Sequence, residues 1–218
     1  MSNRSPEFQV DTAATDLQLL TIQQLRVGAG LVKDNSSRDE ELTELGLRVA
    51  ADIAVACRVA DGGVYPPTLR SETVTNTFQW PGGAGDLILS RRFVSGTPTI
   101  TEDAVAVVAA DYAIKRAEGL LTRKSSDWPA DWPSSIIVIQ YVAGFSVVPA
   151  ELAGAAQSLV QWRISESAYD PLVKSIRTAL PDLEDRSVDR WVGTVPGSDS
   201  GGPVPTHIMR LLTRFINP

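Results

Sequence analysis

Residues 136–157 read IIVIQYVAGFSVVPAELAGAAQ. An apolar run from Ile136 to Val142 ends at Ala143-Gly144, and Pro149 follows just ahead of Glu151 and Leu152. β-Branched residues bounded by glycine favour a strand, and a proline suits the start of a helix, where its missing N–H has no intrahelical acceptor to lose. The stretch therefore predicts a hydrophobic strand running directly into a helix. Leu152, Ala156, Leu159, Val160 and Trp162 carry that helix on with a continuous apolar face.

Upstream, SSRDEELTELGLRVAADIAVACRVADGG predicts a second long helix. Ser37 is placed to cap it, Glu40 falls at the third position, and the acidic first turn complements the helix dipole. Leu42, Leu45, Val49, Ile53 and Ala56 form its stripe, and Asp61-Gly62-Gly63 is the expected stop. Before it, Thr21 and Gln24 make a capping-box pattern for a brief helix ending near Gly28–Gly30. Residues 1–16 are polar and aperiodic, as expected of a flexible arm.

Between Pro67 and Ser135 the period changes to two. Short Thr-, Val- and Ile-rich runs such as SETVTNTFQW, TPTITEDAVAVV and GLLTR are separated by Gly, Pro and Asp turns, which predicts an antiparallel sheet. Beyond residue 167 the pattern is semi-regular, read as a short helix and an extended piece. GTVPGSDSGGPVP then reads as a linker ahead of THIMRLLTRFINP, an amphipathic helix with Ile208, Leu211, Leu212 and Phe215 on one face.

The expected fold class is thus α+β. It has a helical bundle core of two long helices plus shorter ones, an inserted antiparallel β-sheet region, and an extended C-terminal tail ending in a short helix. The expected segments are 1–16 (arm), 17–66 with 136–192 (helical core), 67–135 (inserted β-rich region) and 193–218 (linker and terminal helix).

Composition narrows the function. The 218 residues hold 20 Lys and Arg against 26 Asp and Glu, a net charge of −6. That balance disfavours a broad phosphate-gripping surface. One cysteine, Cys57, precludes an internal disulfide and fits a reducing compartment; in its alanine-rich setting it reads as a buried thiol. The first sixteen residues lack the apolar core of a signal peptide, and no run approaches the ~20 apolar residues of a membrane span.

Reactive groups are sparse. DSGGP at residues 199–203 resembles the nucleophile loop of trypsin-like proteases, yet the only histidine, His207, follows it closely instead of lying far upstream. A linker is the better reading. One His and one Cys far apart leave only carboxylates for a metal, and no cofactor or phosphate-loop pattern occurs. No catalytic residue and no metal site is therefore expected. Trp128 and Trp132, in DWPADWP, pack a sheet against its core or form a stacking platform for a sugar or protein ligand.

The order of elements carries a resemblance. LLTIQQLRVG, the helix from NSSRDEELTELG, the strand-rich middle, and WPSSIIVIQYVAGFSVVPAELAGAAQSLVQW together resemble the head-tail connector (adaptor) proteins of tailed bacteriophages and gene transfer agents, over roughly residues 17–170. The most specific piece is Tyr141, Ala143, Gly144 and Phe145 followed by Pro149, Glu151 and Leu152, which the resemblance makes a structural motif. The longer strand region and extended C-terminal part depart from compact members.

The resemblance implies a structural virion protein at the head-tail interface, present in host cytoplasm during assembly, that forms a ring beneath the portal protein. The ring would be a dodecamer and would receive a stopper or tail-completion protein. DNA would pass through the channel, repelled by its acidic lining, without specific binding, and no membrane is involved. Ile208, Leu211, Leu212 and Phe215 are the expected contact with the portal or a neighbouring subunit. The competing reading is a carbohydrate- or protein-binding module using the β-rich region with Trp128 and Trp132. A carboxylate-dependent hydrolase ranks third.

Overall fold

In a computed structural model, residues 6–79, 83, 85–133, 135–167, 175–180, 184–189 and 203–217 are described. The elements in chain order are β1 (Glu7–Thr12), α1 (Ile22–Gly28), α2 (Asp39–Ala56), β2 (Glu72–Gln79), β3 (Asp86–Ile88), β4 (Val94–Glu102) and β5 (Val105–Ala106). There follow β6 (Tyr112–Lys115), β7 (Leu120–Ser125), β8 (Trp128–Ala130), β9 (Ile136–Ala143) and α3 (Ala150–Ser167). The hairpin β10 (Ser175–Leu180) and β11 (Glu184–Asp189) precedes α4 (Thr206–Leu212).

The strand β9, with which the sequence reading began, lies at the centre of a five-stranded antiparallel sheet ordered β1-β2-β9-β4-β5. This overturns the expected helical bundle core with an inserted sheet. The segment read as an insertion supplies both neighbours of β9, so its strands complete the fold's main sheet. The physical reason is backbone satisfaction: a strand buried on one face needs acceptors and donors along both edges. Its periodicity does not say which distant strands provide them.

Alternation sets the faces. Ile137, Ile139, Tyr141 and Ala143 point inward with Val74 and Ile100. A second antiparallel sheet, ordered β3-β7-β6 with β8 on β7, adds Leu87, Leu121 and Tyr112 to the same core, and Trp132, just beyond β8, joins them. The outward face of the first sheet carries Thr73, Val142 and Ser95 in one cross-strand row, with similar rows beyond it.

A separate helical core joins Leu25, Leu42, Val49 and Ile53 to Leu152, Ala156, Leu159 and Val160. The α1 capping box forms as expected, with Gln24 N–H donating to Thr21 Oγ1 and Thr21 N–H to Gln24 Oε1. α2 differs from expectation at both ends. It starts at Asp39 without a side-chain cap, and Arg26 holds that first turn by pairing with Asp39. It stops at Ala56 because Arg58 turns to φ 53, well before the glycines. The polar N-terminal stretch, expected as an arm, provides edge strand β1, and after α3, where a short helix and an extended piece were expected, the described residues form the antiparallel pair β10–β11.

Candidate interaction site: the C-terminal seat

Pro205 opens α4, and a short 3-10 turn, Thr213–Phe215, prolongs it. The spacing of Ile208, Leu212 and Phe215 turns all three toward the helical core, where each is almost wholly buried with Val204. Burying each such side chain is worth about 1.5–3 kcal/mol. The apolar face therefore finds its partner in its own chain, and of the four expected contact residues only Leu211, 53 % exposed, faces outward.

Polar contacts pin the segment at both ends. Asn217 donates from its backbone N–H to Cys57 O and from Nδ2 to Arg58 O, both at 2.9 Å. The Arg92 guanidinium donates to Ile216 O. Arg163 reaches Pro203 O at 3.0 Å, and Arg214 pairs with Glu151 at 2.9 Å on the surface. Both cations lie on aromatic rings of their own neighbourhood, Arg163 on Trp162 and Arg214 on Phe215.

The motif residues singled out in the sequence gather around this seat. Phe145 and Phe93 have ring centroids 4.6 Å apart, and Phe215 completes the cluster at 5.7 Å from Phe93 and 5.9 Å from Phe145. Gly144 permits this approach: its φ is +89°, and a Cβ there would lie 2.3 Å from Arg70 O. Pro149 O accepts the N–H of Ala153 in the first turn of α3, Leu152 is fully buried, and Glu151 holds Arg214. Tyr141 lies deeper, in the polar node below the seat.

That node was not foreseen. Arg91 and Glu72 pair at 3.1 Å with side chains 5 % and 2 % exposed, and Arg91 Nη1 also donates to Thr68 O at 2.7 Å. Tyr141 Oη accepts from Arg91 N–H and donates to Asn76 Oδ1 at 2.7 Å, while Asn76 Nδ2 donates to Ser90 Oγ. Burial pushes the Glu72 carboxyl above the usual carboxylate range against the opposing pull of Arg91, and it lowers Arg91. Burial also raises the Tyr141 phenol. Glutamate 72 reads from sequence as an ordinary polar strand position; its inward phase relative to Val74 was the available signal.

Beside the seat, Arg58, Ile88, Arg92, Leu120, Ile216 and Asn217 line an open groove of about 560 Å³. Trp128 and Trp132 do not form a joint platform: Trp132 is buried in the β core, whereas Trp128 is 77 % exposed on β8. His207 is exposed on α4, and all of DSGGP except Pro203 lies outside the described residues. Cys57 is buried, with its thiol pushed up to about 12 by desolvation. Among the described residues no cluster of His, Cys, Asp or Glu suits a metal ion, and no helix is long and apolar enough to cross a membrane.

No family model and no curated protein matches the chain. Two solved structures share its fold over most of its length. One, from the virion of a native gene transfer agent particle, is 16 % identical with a TM-score of 0.54, covering 97 % of this chain and 95 % of that chain. The other, from the neck of an empty gene transfer agent particle computed with C6 symmetry, is 18 % identical with a TM-score of 0.55 and the same coverage. At these identities the likeness is one of fold: β-rich sheets and a helical layer arranged as in chains of gene transfer agent particles.

Proposed function

We infer that this chain is a structural protein of a virion neck, an adaptor that assembles as a ring beneath the portal. The observation that carries the reading is the fold shared over 97 % of the chain with a gene transfer agent neck structure. The order of sequence elements, which resembles that of head-tail adaptors, supports it. In this role the ring, a dodecamer, receives a stopper or tail-completion protein on its far side and leaves an axial channel for DNA. The net charge of −6 suits a channel wall that does not hold a polyanion.

The portal contact is assigned to the outer surface of the C-terminal seat. Ile208, Leu212 and Phe215 hold the segment in place, and Leu211 on α4 offers an exposed apolar contact. The test is a Leu211→Asp variant in a portal-binding assay. Binding should fall about tenfold or more, while thermal stability should change little because the position is exposed. Unaltered binding would remove the seat from the portal interface. Deleting 203–218 is a poorer test, since it also uncovers the helical core.

A further inference from the structure

We propose that one water molecule binds between Glu72 and Arg91 as a fixed part of the fold, in a small cavity where the polar node meets the C-terminal seat. The cavity measures about 20 Å³. Glu72 and Arg91 line it from the node, and Phe93, Gly144 and Asn217 line it from the seat. It is distinct from the open groove beside the seat, which neither Glu72 nor Arg91 lines.

The two side chains fall short of the bonds they can make. A guanidinium donates five N–H groups and a carboxylate accepts at both oxygens. Arg91 Nη1 donates to Thr68 O at 2.7 Å. Glu72 Oε1, Arg91 Nε and Arg91 Nη2 are buried and find no hydrogen-bond partner among the described residues. The ion pair does not supply one: it sets Nη2 3.1 Å from Glu72 Oε2, off the line a hydrogen bond requires, and leaves Oε1 and Nε outside it. Buried charged groups that lack bonds are costly, and the low dielectric around them raises that cost.

Size and charge select the ligand. About 10–15 Å³ is enough for one water, and an interior water takes two to four polar partners. The walls supply one acceptor, Oε1, and two donors, Nε and Nη2. A single water can therefore donate to the carboxylate and accept from the guanidinium. A phosphate or a carboxylate is too large for the space. The opposite charges of Glu72 and Arg91 offset each other, so neither a cation nor an anion gains by entering. An apolar cavity of this kind would stay dry, whereas unpaired polar groups on its wall hold a water. The site is tested on the purified full chain without a portal, so its outcome is separate from that of the neck reading.

Oxygen-17 magnetic relaxation dispersion of the full chain counts the waters held for longer than the protein takes to tumble. Glu72→Leu combined with Arg91→Met replaces the polar wall by apolar side chains and should lower the dispersion by the amplitude of one water. Arg48→Met, which removes an exposed cation on α2, is the control and should match wild type. Equal amplitudes in the double variant and the control overturn the proposal. If the double variant fails to fold, the wild type decides by nuclear Overhauser spectroscopy. Water should then give cross-peaks of opposite sign in the laboratory and rotating frames to the Arg91 Nε–H, as a long-lived neighbour does. Peaks of the same sign, or none at that proton, overturn the proposal.

Discussion

Gly144 sits where the chain leaves β9, pressed between the segment 69–71 and Phe93. Its N–H donates to Phe93 O at 3.2 Å, and the next N–H, of Phe145, donates to Leu69 O at 2.9 Å. Left-handed backbone and the short approach to Arg70 O together exclude a side chain. Gly144→Ala should lower stability by roughly 3 kcal/mol in urea denaturation. The buried Glu72–Arg91 pair makes a different kind of demand. Arg91→Met leaves a buried carboxylate without its cation and should cost about 3–5 kcal/mol, whereas Glu72→Leu with Arg91→Met should come back near wild-type stability. A double-mutant cycle measures the difference; a loss in the double variant equal to the sum of the two single-variant losses would show that the pair contributes no coupling.

Among elements, one turn and one helix start show how local chemistry shapes the fold. β4 and β5 are joined by Asp103 and Ala104, both at positive φ, in a two-residue hairpin turn. Asp103 is tied to Ile136 by two hydrogen bonds, so it cannot be exchanged freely; Ala104 carries the strain. Ala104→Gly should raise stability by about 0.5–1 kcal/mol, read as a higher Tm. At the start of α2, the hydrogen bond from Arg26 lowers the Asp39 carboxyl below its usual value of 3.8. A carboxyl with a depressed folded pKa stabilises the fold above its ordinary pKa and loses that contribution as pH falls through the lower value. Arg26→Met should therefore flatten the loss of Tm between pH 5 and pH 2.5, and an unchanged slope would argue against the link.

These elements also show what sequence carries and what it does not. The Thr21 capping box, the α3 start at Pro149 and the terminal amphipathic helix were legible because each depends on residues a few positions apart. Strand pairing was not: Val74 meets Tyr141 and Ile100 meets Ile139 across long separations that no periodicity encodes. The same holds for the polar node, which joins Glu72, Arg91 and Tyr141 from three segments. The seat of the terminal helix was half legible, since its apolar face called for a partner without naming Phe93 and Phe145 of the same chain.

At the scale of the whole molecule, the C-terminal segment closes the helical core and links it to Arg92, just ahead of β4. Phe215 enters the aromatic cluster, Asn217 bonds the end of α2, and Arg92 extends from the sheet side to Ile216. In the neck reading proposed above, docking at the seat would bear on the helical core and on the Arg92 side of the chain at once. The neck reading is tested most directly by co-sedimenting the purified protein with assembled portal rings of the same particle and imaging the pellet by electron microscopy. The neck reading predicts a ring of added density on the portal, stoichiometric with its subunits, with the C-terminal seat at the contact. Portal rings that sediment bare, at protein concentrations well above those that saturate known neck contacts, would contradict it.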